Sequence, residues 1–283
     1  MANPIQWFPG HMAKAQREIE EKIKLVDIVL ELIDARVPAS SINPVFENIL
    51  KNKHKIYIIT KTKMADPTVN QKWKEYFDKN NLPCILVDST SGVNVSKIAS
   101  LAKEVLKEKL EKEKAKGMKE RSIRTLVLGI PNVGKSTLIN ALCGKKVALA
   151  ANKPGVTKSQ QWIRINKDLD LLDTPGVLWP KFDDEITGYN LALTGAIRDD
   201  IIHKDDLVLY FINFLREKYP LSFNKYNINL TEELNNVEIL DKIAKTNGFL
   251  YKGRSDYDRV YEFIINDFRS LKLGLISIEA PGD

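Results

Sequence analysis

Only two cysteines, Cys84 and Cys143, occur among 283 residues. That excludes a disulfide framework and fits buried thiols in a reducing compartment. No apolar run approaches the roughly 20 residues of a membrane span, so no membrane association is expected. The opening residues, Met1 to Trp7, carry neither a basic stretch nor an apolar stretch of the secretory kind. The cytoplasm is the expected address. Repeats and low-complexity tracts are also missing. What remains is ordinary: 43% apolar and 28% charged residues, typical of a globular chain. The length suits one large domain or two of common size.

Charge is unevenly placed. Residues 1–182 hold 31 Lys+Arg against 19 Asp+Glu, a balance of +12. Residues 183–283 hold 12 against 18, a balance of −6. Such asymmetry points to two modules with different partners, the basic one suited to a polyanion. A merely basic face on a globular protein explains the numbers equally well.

Short apolar runs at Val26–Asp34, Lys55–Thr60, Pro83–Ser89 and Arg124–Gly129 predict buried strands. Trp162–Ile165 and Leu169–Asp173 predict a hairpin. Helical patterns cover Met12–Lys24 and Val95–Lys116. This alternation predicts an α/β domain with a mostly parallel sheet flanked by helices, over residues 1–182. Beyond it, Lys204–Lys218, Glu232–Thr246 and Asp258–Leu273 read as helices of a small all-helical domain, 183–283. Thr231 is the expected N-cap of the second helix, and Gly274 the expected C′ residue of the third. Leu275–Ile278 reads as a late strand.

One motif dominates. Gly129-Ile-Pro-Asn-Val-Gly134-Lys135-Ser136 matches the phosphate loop GxxxxGK[ST], following a predicted strand and opening a predicted helix. Glycines let the backbone wind so that successive N–H groups, here from Asn132, Val133, Gly134, Lys135, Ser136 and Thr137, face phosphate oxygens. The helix N-terminus adds positive charge. Lys135 is assigned to the β- and γ-phosphates and Ser136 to Mg²⁺. Asp173-Thr-Pro-Gly176 reads as DxxG, with Asp173 near Mg²⁺ and the Gly176 N–H on the γ-phosphate. Thr157, in the polar loop between, would close on Mg²⁺ when the γ-phosphate is present. Loops ordered by γ-phosphate and released by hydrolysis form a switch.

A base-reading [NT]KxD motif is expected after DxxG, and none follows. The nearest candidate lies upstream: Thr60-Lys61-Thr62-Lys63, at the end of a strand. Ser89 ends the next strand, where the last base-contacting loop would be. The base-binding half therefore precedes the phosphate-binding half, which is a circular permutation of a GTPase sheet. Such a cut is allowed because domain termini often lie close together.

These residues resemble the ribosome biogenesis GTPase A family of circularly permuted GTPases. The resemblance rests on Trp7-Phe8-Pro9-Gly10-His11-Met12-Ala13-Lys14-Ala15, Asp34-Ala35-Arg36, Asn43-Pro44, the phosphate loop and Pro154–Thr157. It extends to Leu171–Gly176, Leu178–Lys181 and Thr194–Ile197. It implies a GTP hydrolase, stimulated by the ribosomal subunit and acting in late assembly of the large (50S) subunit. The factor binds the precursor, its rRNA and ribosomal proteins, with GTP and leaves on hydrolysis. A monomer is expected off the ribosome. Val177 occupies the place where Ras-like enzymes carry a water-positioning Gln, and the resemblance points to His11 for that task; a structural histidine is the alternative. Asn132 resembles the asparagine that ligates K⁺ in potassium-stimulated relatives, and a turn-forming Asn is the alternative.

The chain departs from the pattern at Lys63. The motif's Asp accepts from guanine N1–H and the 2-amino group, whereas lysine has donors only. Asp66 is a remote substitute. A second reading is therefore a nucleotide-binding assembly placeholder with relaxed base choice and little catalysis. A phosphate-loop ATPase or kinase ranks third, lacking an acceptor site.

Overall fold

The structure, a computed structural model, describes residues 17, 19–145, 161–165, 167–173, 178, 184–199, 201–230 and 234–282. Six strands form one sheet: β1 (Ile28–Asp34), β2 (His54–Thr60), β3 (Cys84–Leu86), β4 (Ile123–Gly129), β5 (Gln161–Arg164) and β6 (Leu169–Asp173). Their spatial order is β3-β2-β1-β4-β6-β5. All pairings are parallel except the β5–β6 hairpin. β1 is buried along its whole length. Ile28, Leu30 and Leu32 enter one core cluster, while Val29 and Ile33 face the other side. A parallel strand covered on both faces reads in sequence as a continuous apolar run, so these strands were legible.

The order carries the permutation. β4, which leads into the phosphate loop, lies mid-sheet, with the three earlier strands on one side and the two later ones on the other. Strand order reverses between β1 and β4. Ligands of open α/β sheets bind beyond the carboxyl ends of strands at such a switch point.

Several expectations need correction. The strand expected over Pro83–Ser89 is only β3, because Asp88 turns to bridge Val93 and the Asn94 amide donates to the Leu86 carbonyl at 2.9 Å. The long helix over Val95–Lys116 is two, Lys97–Val105 and Lys107–Ala115, broken at fully buried Leu106. The second has no buried residue, and its Lys109 reaches Asp27 at 2.5 Å. Arg121 adds a fork to the same carboxylate at 2.6 and 2.9 Å. Burial raises the Asp27 pKa, but these bonds more than offset it and hold the carboxyl below its ordinary range. Of the helix expected over Met12–Lys24, residues 17 and 19–22 are helical, and residues 12–16 and 18 lie outside the described residues. Cys84 is buried, which pushes its thiol up to about 11, whereas Cys143 is only half-buried.

The C-terminal part contributes helices α1 (Glu185–Leu193), α2 (Lys204–Lys218), α3 (Asn236–Thr246) and α4 (Tyr257–Arg269). α1 was not expected. α3 starts at an Asn235–Glu238 capping box rather than at Thr231, which lies outside the described residues. α4 ends at Arg269, with Leu271 in the left-handed region, so Gly274 belongs to the next turn. A two-residue hairpin, Leu250–Tyr251 with Arg254–Ser255, was also missed. These helices share one core cluster with the sheet: Phe211, Ile264 and Phe268 join Ile28, Val127 and Leu138.

Leu275–Ile278 pairs with no strand among the described residues. It is an extended strap whose backbone bonds go elsewhere. Ile278 N–H donates to the Arg36 carbonyl at 2.7 Å, and Trp73 Nε1 donates to the Glu279 carbonyl at 3.0 Å. The half-buried Glu279 carboxylate takes the Ser40 N–H and hydroxyl and the Asn190 amide.

Candidate nucleotide-binding site

The phosphate loop is shaped by close packing. A Cβ on Gly129 would lie 2.8 Å from the Leu32 carbonyl oxygen, and φ there is 154°. Only glycine lets β4 pass β1 this closely and then turn. Asn132 and Gly134 follow in positive-φ conformations, 57° and 107°. Gly134 caps the helix Lys135–Cys143, whose first N–H groups point back to the loop. Buried Lys135 donates to the carbonyls of Gly129 at 3.1 Å and Ile130 at 2.9 Å, so its ammonium lies across the loop. Ser136 is half-buried and Thr137 exposed. Leu126 pairs with Leu172, which brings the end of β6, and with it the backbone of Asp173, beside β4.

The side expected to hold the base meets this loop directly. Thr60, buried at the end of β2, donates its hydroxyl to the Val133 carbonyl at 2.7 Å, with the Ile33 carbonyl 3.0 Å away. A residue 73 positions upstream thus fastens the phosphate loop. Lys61 is left-handed (φ 58°), and its ammonium pairs with Asp34 at 2.9 Å. The Arg36 fork takes both Asp34 oxygens, at 2.9 and 2.7 Å, sharing Oδ2 with Lys61. Burial raises the Asp34 pKa, but Arg36 and then Lys61 overcome it and hold the carboxyl below its ordinary value. The same burial lowers the Lys61 pKa, partly countered by Asp34.

Asp66 is committed elsewhere. One oxygen caps the helix Pro67–Lys79 through the N–H groups of Thr68 and Val69. The other accepts the Tyr219 hydroxyl at 3.2 Å, and the Asp66 N–H donates to Ser277 Oγ at 3.1 Å. Lys63 is 63% exposed, with its ammonium 4.0 Å from Asp88. The Ser89 hydroxyl is buried without a hydrogen-bond partner among the described residues.

The helical part touches both halves. Asn132 Nδ2 donates to the Gly195 carbonyl at 2.6 Å, just beyond α1. The Arg36 guanidinium lies over the Phe268 ring of α4, 5.5 Å from its centroid. Of the expected residues, the structure brings together Thr60, Lys61, Asn132, Val133, Gly134, Lys135, Ser136, Thr137 and the Asp173 backbone. Ser89 stands at the base end, beyond β3. His11, Thr157, Gly176 and Val177 lie outside the described residues. Sequence reasoning gave no role to Asp34, Arg36, Asp88 or Tyr219. For the first two the signal was Asp34-Ala-Arg36 itself; Tyr219 carried none.

Comparison with known proteins accords with this geometry. A family model described as a 50S ribosome-binding GTPase matches residues 124–246, starting in β4 and so leaving out the upstream base half. The chain is 50% identical to ribosome biogenesis GTPase A of Bacillus licheniformis, over 99% of both chains. It is 33% identical to the probable ribosome biogenesis GTPase A of Mycoplasma genitalium, over 97% of this chain and 96% of that one. Among solved structures, GNP-bound YlqF from T. maritima aligns with a TM-score of 0.68 at 25% identity, covering 95% of this chain and 99% of that one. With half its residues shared along nearly its full length, and with a permuted sheet around a phosphate loop, the chain belongs to the ribosome biogenesis GTPase A family, GTP hydrolases of ribosome biogenesis.

Proposed function

We propose that this GTPase acts late in assembly of the large ribosomal subunit, binding the precursor with GTP and leaving on hydrolysis. The Thr60–Val133 hydrogen bond carries the reading, because it joins a base loop to a phosphate loop in one site. The division of labour follows the charge. Residues 1–182 form the GTPase domain and the basic surface suited to rRNA. Residues 183–283 form the helical domain, which contacts rRNA as the resemblance implies and reports nucleotide state through Gly195 and Phe268. No described helix is long and apolar enough to cross a membrane, and ribosome assembly fits a cytoplasmic monomer.

In this reading Lys135 leaves the Gly129 and Ile130 carbonyls for the phosphates, and the N–H groups from Asn132 to Thr137 hold their oxygens. Mg²⁺, when bound, neutralises charge on the β- and γ-phosphates. The Ser136 hydroxyl, Thr157 and Asp173 are hard oxygen donors of the kind it takes. The Asn132 amide nitrogen donates to the Gly195 carbonyl, and its amide oxygen would be the donor to K⁺. His11 positions the attacking water, Gly176 contacts the γ-phosphate, and Lys61 and Ser89 frame the base.

The test is pelleting with large-subunit precursors in GTP, a non-hydrolysable analogue or GDP, alongside phosphate release with and without subunits. Co-pelleting with the triphosphates but not GDP, and subunit-stimulated release lost in both Lys135→Ala and His11→Ala, is the expected result. Equal pelleting in all three nucleotides would sink the cycle. Loss in Lys135→Ala alone would make His11 structural. Replacing K⁺ with Na⁺ slows the wild type and leaves Asn132→Ala unchanged. The placeholder reading rests on Lys63, and comparable binding of GTP, ATP and XTP would favour it.

A further inference from the structure

The base loop is built at two of its three motif positions and reversed at the third. Thr60 is fixed on Val133 and Lys61 on Asp34, so the loop is ordered for a base. At position 63 an ammonium replaces the carboxylate that would accept from guanine. The Ser89 hydroxyl, one residue past Asp88, is buried with no hydrogen-bond partner among the described residues.

A carboxylate is nevertheless present. β2 and β3 pair Ile59 with Leu86, and Val87 N–H donates to the Ile59 carbonyl at 2.8 Å. Two residues beyond the end of β3, Asp88 lies where the chain turns away to bridge Val93. Its backbone is anchored to Val93, and its Oδ2 takes the Ser91 N–H at 3.1 Å and the Ser91 hydroxyl. Lys63 approaches that same oxygen at 4.0 Å. Oδ1 takes no hydrogen bond from the described residues.

We propose that Asp88 is the guanine-reading carboxylate of this chain, with its Oδ1 accepting from the N1–H and 2-amino group, and that Lys63 holds it in place. The acceptor has moved from the end of the β2 loop to the end of β3, and the exchanged charge at position 63 has become its support. The inference deepens the GTPase reading and rests on it.

Competition of GDP and XDP against a ribose-labelled fluorescent GDP tests it with three variants. Asp88→Asn keeps an oxygen for Ser91 but offers an N–H donor toward the base, which suits the carbonyl at position 2 of xanthine. GDP binding is expected to weaken about 10- to 100-fold, as for loss of hydrogen bonds to a charged group, while XDP binding improves. Lys63→Asp in the Asp88→Asn background restores an acceptor at the motif position and returns the preference to GDP. Lys63→Ala removes an exposed side chain without touching the fold and lowers the GDP/XDP ratio severalfold. An unchanged GDP/XDP ratio in Asp88→Asn and Lys63→Ala overturns the proposal, even if both nucleotides bind more weakly. A wild-type chain that binds neither diphosphate would instead overturn the GTPase reading.

Discussion

The two halves of the nucleotide site are built by different physics. The phosphate half is local: glycines at 129 and 134, a left-handed Asn132 and a helix start, all within eight residues. Its ligand would be held mainly by backbone N–H groups. The base half is assembled from a distance. Lys61 needs Asp34, Asp34 needs Arg36, and Arg36 is packed on Phe268 and bonded to Ile278. A backbone device survives as a motif in sequence; of this chain of side-chain interactions, only Asp34-Ala35-Arg36 does.

Breaking each half should expose this difference. The largest effect is chemical: Lys135→Ala should reduce GTP hydrolysis by about 10²- to 10³-fold, as when one transition-state charge stabiliser is removed, read by phosphate release. Next, Asp34→Ala leaves Arg36 and Lys61 without their shared counter-charge. Breaking a buried pair costs about 3–5 kcal/mol, so a large fall in the urea midpoint is expected, while the phosphate loop keeps its own hydrogen bonds. An intact midpoint would mean the network is not buried in solution.

A third effect depends on pH. Asp27 and Asp34 have folded-state pKa values below the ordinary 3.8. Their contribution is complete above that value and disappears as pH falls through the lower folded values. Glu31 and Glu279 work in the opposite sense, raised from 4.5 chiefly by burial. Stability should therefore decline below about pH 4, and Asp27→Asn should flatten that decline in urea titrations at pH 3 and pH 6. The smallest effect joins the halves. Thr60→Val keeps the shape but loses the bond to Val133. It should cost about 1 kcal/mol in stability and weaken GDP severalfold in a competition assay; unchanged affinity would make the two halves independent.

The same contrast explains what was legible. The parallel strands were readable because burial on both faces forces apolar runs, and the phosphate loop because its backbone demands glycine. The helix over 95–116 was misread because its charge pattern continues past Leu106 while burial stops. Leu275–Ile278 has the composition of a strand, yet its partners are the Arg36 carbonyl and Asp66 rather than a ladder, and composition does not name partners. Lys63 was recognised as a departure, but its neighbour Asp88 lies in the turn after β3, brought near only by the β2–β3 pairing.

The strap has a consequence for synthesis. Asp66 is bonded to Ser277, 211 residues later, and Ser40 to Glu279, 239 residues later. A nascent chain can wind its phosphate loop once the sheet is out, but the support beneath its base loop arrives only with residues 277–279. Long-separation pairings of this kind form last. The base loop is therefore fully braced only once residues 277–279 have been made, so a chain cut short before Ser277 would compete poorly for GTP.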